Sequence, residues 1–306
     1  MTLMNPFHFL QRFLLDKTAR LAVKFDFRQR HKLASILAAV VIDGMRIRWQ
    51  YVVEILQQRL ALTREEAIKL GRKIYISFIE NSIEMATIPF LTAQEMNDRL
   101  RPEGLHYLSE AIAGKRGAII ISGHYGVWEF IPPWLALNGF EVTIVVRRQS
   151  NKLVDDWMEK MRNAHGAKTT DSGYGIREIL RALREGHCLA LMSDQDSGDK
   201  GIFVDFFDNL ASTPVGPAQI AIKTGVPIVP VAAHRMPYFP HIFEVHPPIY
   251  PENYATKVDG AQLMTQAYTD ILESWIRKRP DQWFWLHRRW KTRPLREKAR
   301  PVFEER

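Results

Sequence analysis

Cysteine is almost absent from this 306-residue chain, in which Cys188 is the single example. A disulfide scaffold is therefore excluded, and a chain of this length folds on an apolar core instead. Cys188 lies in the run Cys-Leu-Ala-Leu-Met, the setting of a buried thiol, and nothing in the cysteine usage points to an oxidising compartment. A cytoplasmic polypeptide is expected. Long hydrophobic runs are missing as well: the stretch 33–42 stops at Asp43, short of the ~18 to 20 apolar residues that a spanning helix needs. The amino terminus lacks the charged start, apolar stretch and small-residue cleavage site of a signal peptide. No close histidine pair of the His-Glu-x-x-His kind occurs, and His124, His165 and His187 are far apart, so no metal site is expected. Ser122 stands in Ser-Gly-His and not in a Gly-x-Ser-x-Gly elbow, which argues against a covalent serine hydrolase. Internal repeats, low-complexity tracts and linkers are also lacking.

What the chain has in excess is positive charge. Lys plus Arg number 42 against 34 acidic residues, a net charge of +8. Such a balance favours phospholipid head groups, phosphorylated substrates, nucleic acid or an acidic carrier protein, and does not choose among them. Two segments concentrate it. Near the start, Phe7, Leu10, Phe13, Leu14, Leu21 and Phe25 recur at helical spacing among Arg12, Lys17, Arg20 and Lys24, a pattern that suits either a membrane interface or an ordinary packed helix. Near the end, Gln282-Trp-Phe-Trp-Leu-His-Arg-Arg-Trp-Lys-Thr-Arg-Pro294 mixes aromatics with cations. That composition suits a membrane interface, nucleic-acid stacking or a plain core.

From the first residue to about 115 the periodicity predicts only helices. The longest covers 64–86 and is opened by a capping box, Thr63 with Glu66; a second box, Thr92 with Glu95, opens another. After Gly117 the pattern changes to strands at 118–122, 142–146, 189–192 and 228–232, separated by helical runs that include 153–164 and 176–185, with a further helix over 261–277. Alternation of this kind predicts an α/β fold, a mixed and largely parallel sheet covered by helices, with the helical layer of residues 1–115 packed onto a catalytic region of 116–306 as one structural domain.

Sheets of this type carry their sites beyond the carboxyl ends of the strands. One such end stands out, in Gly117-Ala-Ile-Ile-Ile-Ser-Gly-His124-Tyr-Gly-Val-Trp-Glu129-Phe. A β-branched run stops at a histidine, and a helix over 127–137 follows. Glu129 falls about one turn into that helix, where its carboxylate is expected to fold back onto one imidazole nitrogen of His124 and leave the other to take a proton. A core histidine beside an unrelated surface glutamate is the bland alternative. The other inferred strand ends bring Arg147, Arg148, Asp194 and Asp196 toward the same rim, with Arg162 on the helix after the second strand.

Several separated blocks together resemble the late acyltransferases of lipid A biosynthesis, the lauroyl and myristoyl transferases of the wider glycerolphosphate-acyltransferase-like superfamily. They are Gly123-His124-Tyr-Gly-Val-Trp-Glu129; Arg147-Arg148-Gln-Ser-Asn151 with Asp156-Trp157 and Arg162; Asp194-Gln-Asp196; Phe203-Val-Asp-Phe-Phe207 with Ala211-Ser-Thr213; and Trp285-Leu-His-Arg-Arg-Trp-Lys-Thr-Arg-Pro294. The resemblance implies that His124 and Glu129 are the catalytic pair and that Arg162 and Asp194 are the other two functional positions, Arg162 holding a substrate phosphate and Asp194 orienting it. Arg148 is a second candidate for the phosphate. It implies a fatty acyl transfer from acyl carrier protein, or from acyl-coenzyme A, to a hydroxyl of a lipid A precursor or related glycolipid. Backbone amides of the glycine-flanked turn would hold the oxyanion, with no cofactor and no nucleic-acid partner. The implied location is the cytoplasmic face of a bacterial inner membrane, bound to the anionic surface from one side by the amino terminus and the carboxyl-terminal aromatics. Two departures from the family pattern are visible: charges break the amino terminus where members commonly have a spanning segment, and Asp208-Asn209 stands where the family often has glycine.

Overall fold

A computed structural model describes residues 17–148, 151–171 and 176–294. Most of the amino-terminal amphipathic pattern, together with Gln149 and Ser150, lies outside the described residues. Among the described residues there are nine strands: β1 (Leu100–Glu103), β2 (Ala118–Ser122), β3 (Val142–Val146), β4 (Lys168–Asp171), β5 (Cys188–Met192), β6 (Ile202–Asp205), β7 (Leu210–Thr213), β8 (Ile228–His234) and β9 (His241–Val245). Seven of them form one sheet in the order β1-β9-β8-β2-β5-β3-β4. Only β8 and β9 run antiparallel in it; every other neighbour is parallel. The expected mixed, largely parallel sheet is thus the observed one. β6 and β7 form a separate hairpin.

The two faces of the sheet are filled by alternate residues of the central strands. Ala118 and Ile120 of β2 join an apolar cluster with Leu108, Ile131, Trp134 and Met161, whereas Ile119 and Ile121 join another with Ile179, Leu183, Ala218 and Met264. A strand with period two and no polar face is buried from both sides, and each such isoleucine stabilises the fold by roughly 1.5–3 kcal/mol.

A third cluster joins the amino-terminal helices to the carboxyl-terminal segment. Helices α1 (Phe27–Ala39), α2 (Trp49–Leu60) and α3 (Arg64–Met85) pack with Phe206, Phe207, Trp275, Trp283, Trp285 and Trp290. Both expected capping boxes are present, Thr63 with Glu66 at the start of α3 and Thr92 with Glu95 further on. The carboxyl-terminal tryptophans are core residues and not an interfacial belt: Trp283, Trp285 and Trp290 are buried, and their rings meet edge-on or stacked with Phe206 and Phe207. Arg59 lies over Trp290 at 4.7 Å, and buried Arg289 bonds Ser212 and Thr213 of β7. These three rings are therefore not exposed for insertion into a membrane interface. Large aromatics gain more from a packed interior than from an interface when a matching cavity exists.

Two other expectations change. β1 lies in the stretch read as wholly helical and pairs with β9 at the sheet edge. The helix expected over 127–137 begins as a 3₁₀ turn, Trp128–Phe130, and becomes α-helical only at Ile131–Leu137, where Pro132 and Pro133 occupy the first helical positions that tolerate them.

Candidate active site

β2 and β5 are parallel neighbours, with Ser122 opposite Met192. Two residues beyond each of these partners the chain places His124 and Asp194, so equal offsets bring an imidazole and a carboxylate together at the same rim. His124 Nδ1 lies 2.8 Å from Asp194 Oδ1, and the His124 backbone N–H donates to Asp194 Oδ2 at 2.7 Å. Trp283 Nε1–H donates to the same Oδ2 at 2.8 Å. The turn that follows depends on Gly126, which has φ +57° and whose Cβ would run into the Ala233 carbonyl.

Electrostatics reinforce this pairing. Burial raises the Asp194 pKa, but the His124 charge and the three hydrogen bonds outweigh it and hold the carboxyl down at about 2. Burial pulls His124 downward too, yet the Asp194 charge and hydrogen bond, with a smaller push from Glu129, raise it above its ordinary 6.5, against a small opposing effect of Arg162. Both partners shift in the direction of an imidazolium beside a carboxylate. Asp194 is almost wholly buried, while a quarter of the His124 side chain remains accessible.

Glu129 is not the carboxylate on the imidazole. It is buried and paired with Arg162, Nη2 to Oε1 at 2.7 Å and Nε to Oε2 at 3.1 Å. The 3₁₀ turn aims Glu129 at the carboxyl end of the helix Lys152–Arg162, whose last residue supplies this two-point pair. Glu129 acts on His124 only through space. Arg148 stands apart, exposed and bound to Asp155 and Glu159. Asp196 is a structural staple of the carboxyl-terminal segment: its N–H donates to His287 Nε2, and its carboxylate accepts from the N–H and hydroxyl of Thr292.

The turn's own amides are already committed. Those of His124, Tyr125, Gly126 and Val127 donate to Asp194, Gly123, Gln282 and Ala233 respectively, so none of these four is free to hold an oxyanion. Ser122 Oγ donates to the Val231 carbonyl at 2.9 Å, an arrangement that leaves no base for a nucleophile. Among the described residues no three His, Cys, Asp or Glu side chains converge as a metal site. Two contributors were not singled out from the sequence. Trp283 was read only as part of an aromatic run, and Gln195, whose side-chain nitrogen lies 3.5 Å from His124 Nε2, only as part of a motif. The place of Gln195 between two rim aspartates was the available signal.

His124 also borders a small recess between α3 and the carboxyl-terminal segment, lined by the apolar Ile74, Phe78, Trp128 and Phe284 and by the polar Ser77, Asn81, Asp281 and Gln282. An oriented imidazole beside a partly apolar recess is the equipment of a general base.

The family model described as bacterial lipid A biosynthesis acyltransferase matches residues 61–292. A phosphatidylinositol mannoside acyltransferase of Mycobacterium tuberculosis is 29% identical over 195 residues, 61% of this chain and 58% of its own length. A lipid A biosynthesis lauroyltransferase of Escherichia coli K12 is 25% identical, with 62% of this chain and 61% of its own covered. A palmitoleoyltransferase of lipid A biosynthesis from the same organism is 28% identical over 64% of this chain and 63% of its own. The chain thus matches about three fifths of the length of these relatives. The crystal structure of a 1-acyl-sn-glycerophosphate acyltransferase, PlsC, from Thermotoga maritima aligns with 82% of this chain and 97% of its own at a TM-score of 0.38 and 16% identity. With the family model covering most of its length, including every residue of the rim, the chain belongs to the bacterial lipid A biosynthesis acyltransferase family.

Proposed function

We propose that this protein transfers a fatty acyl group from an acyl thioester to a hydroxyl of a lipid A precursor or a related glycolipid. The observation that carries the reading is the His124 imidazole, fixed at Nδ1 by Asp194 and open at Nε2. Nε2 takes the proton of the acceptor hydroxyl as its oxygen bonds to the thioester carbonyl carbon. The C–S bond then breaks, and the imidazolium returns that proton to the departing sulfur. Asp194 stabilises the imidazolium by contact and Glu129 by its charge. Gln195, beside Nε2, is placed to hold the hydroxyl or the developing oxyanion, a contribution worth roughly 3–4 kcal/mol per donor in well-studied enzymes. Arg162 keeps Glu129 in place and offers its remaining edge to a substrate phosphate.

Acyl carrier protein is the favoured donor, because an acidic partner suits a chain of net charge +8. Relatives named for lipid A and for phosphatidylinositol mannoside support a glycolipid acceptor. None of the helices among the described residues is long and apolar enough to cross a membrane. We place the protein on the surface of the inner membrane, held by the outer side of α1 and the turn after it. Ile36, Leu37, Val40, Met45 and Ile47 are exposed there beside Arg28, Lys32 and Arg46.

Incubating the purified protein with acyl carrier protein or coenzyme A thioesters and a panel of lipid acceptors, followed by mass spectrometry, tests the reaction. An acylated glycolipid that requires His124 supports it, and thioesters left intact with every acceptor refute it. Sedimentation with anionic vesicles tests the location. Binding should weaken when Leu37 and Val40 are both replaced by Ser.

A further inference from the structure

Asn81 lies in α3, in the third of the chain whose sequence carries no catalytic signature, and it is 3% exposed. Neither its amide nitrogen nor its amide oxygen has a hydrogen-bond partner among the described residues. Its charged neighbours in the same helix are served: Glu80 meets His31 and Arg235, and Glu84 meets Arg30, Arg235 and His241. Buried carboxamides are normally bonded, and an apolar side chain of similar volume would serve packing better at this position. Asn81 lines the same recess as His124 and Trp128.

Of the polar side chains that line the recess, Gln282 is bonded through both amide atoms to the Arg235 backbone and Asp281 pairs with Arg279, whereas the Asn81 carboxamide is unmet and suits a ligand that brings an amide. A fatty acyl chain has no polar group to meet it, and Ile74, Phe78, Trp128 and Phe284, which share the lining with Ser77, Asp281 and Gln282, suit methylenes better than the hydroxyls of a sugar. The arm that carries the thioester in both acyl carrier protein and coenzyme A is pantetheine, a thin chain of methylenes interrupted by amides. We propose that Asn81 is a donor-binding residue that hydrogen-bonds an amide of the pantetheine arm and thereby brings the thioester carbonyl to His124. This inference rests on the acyl-transfer reading above.

The test uses two donors with the same acyl chain, an N-acetylcysteamine thioester, which keeps the terminal amide of the arm, and an S-butyl thioester, in which methylenes replace it. The ratio of their kcat/KM values is the readout. In the wild-type protein the amide-bearing donor should be preferred by at least about tenfold. Asn81→Leu should bring the ratio close to one, and Asn81→Asp, which keeps the shape but loses the N–H donors, should lower it. A ratio unchanged in a folded variant overturns the proposal, whatever happens to the absolute rate. So does a wild-type protein that does not distinguish the two donors, a result that needs no variant. A wild-type protein that consumes neither these donors nor the full-length ones removes the acyl-transfer reading itself, and this inference with it.

Discussion

Among the buried carboxylates that meet a histidine, Asp194 and Glu84 form pairs that behave differently. Asp194 meets His124 at the sheet rim; Glu84 of α3 meets His241 of β9, where Arg30 and Arg235 also bind it. Burial opposes ionisation of both carboxyls, and cationic partners overcome it and hold each at about 2. The histidines part company. His124 is raised, because Asp194 and Glu129 are the charges that act on it most strongly. His241 is lowered, because burial dominates and Arg235 and Arg99 add repulsion that the Glu84 contact does not repay. A carboxylate and histidine in contact therefore make either a proton acceptor or a structural joint, and the balance of burial against the surrounding charges decides which.

The comparison is broken most directly at His124. His124→Ala should lower acyl transfer by about 10²–10⁴-fold with an unchanged melting curve, as removal of a general base does. Near wild-type turnover in a thioester-release assay would assign the base elsewhere. Glu84→Ala should show the reverse profile. It leaves Arg30, Arg235 and His241 facing one another in a buried site, and a loss of about 3–5 kcal/mol in denaturant unfolding is expected. Because the folded Glu84 pKa lies below its ordinary 4.5, the stability it adds is complete above that pH and is lost as the pH falls toward about 2.

Asp194→Asn sharpens the contrast through pH. His124 is active as a base only when neutral, so the rate should rise with pH through a midpoint above the ordinary 6.5. Removing the anion that favours the cation should move that midpoint downward while lowering the plateau. A midpoint that does not move would show that His124 titrates independently of Asp194. Arg162→Lys keeps the charge but not the two-point grip on Glu129, and a loss of at least about tenfold in kcat/KM is expected, equivalent to roughly 1.4 kcal/mol. Unchanged kinetics for both substrates would leave the Glu129 pair as packing.

The smallest effect lies in the β6–β7 hairpin. Phe207 and Asp208 both have positive φ, 53° and 57°, the conformation of a two-residue type I′ turn, and Asp208 belongs to the Asp208-Asn209 departure noted in the sequence. Asp208 recovers part of the backbone cost by pairing with Arg277, which in turn lies over Phe207. Asp208→Gly should stabilise the fold by about 0.5 kcal/mol in the same unfolding assay.

The strands that were legible in the sequence are the doubly buried ones, β2, β3, β5 and β8, where largely apolar runs leave no polar face. β1 and β4, Leu-Arg-Pro-Glu and Lys-Thr-Thr-Asp, escaped because edge strands tolerate charge and proline on their open side. The position of His124 could be inferred from the end of a strand. Its carboxylate partner could not, because chain proximity favoured Glu129, whereas the register of β2 against β5 selects Asp194, 70 residues away. The carboxyl-terminal tryptophans were ambiguous for a different reason. Composition describes a membrane belt and a core in the same letters, and only burial separates them.

The hydrogen bond from Trp283 to Asp194 sets an order of events during translation. Residues 124 and 194 leave the ribosome long before residue 283, and in that interval the Asp194 carboxylate lacks both the indole N–H and the aromatic wall behind it. The Asp196 contacts with His287 and Thr292 are equally late. A nascent chain halted before residue 283 should therefore hold a formed β2–β5 pair in which His124 meets an Asp194 carboxylate that still lacks its indole donor, and the rim is complete only as the last tryptophans dock.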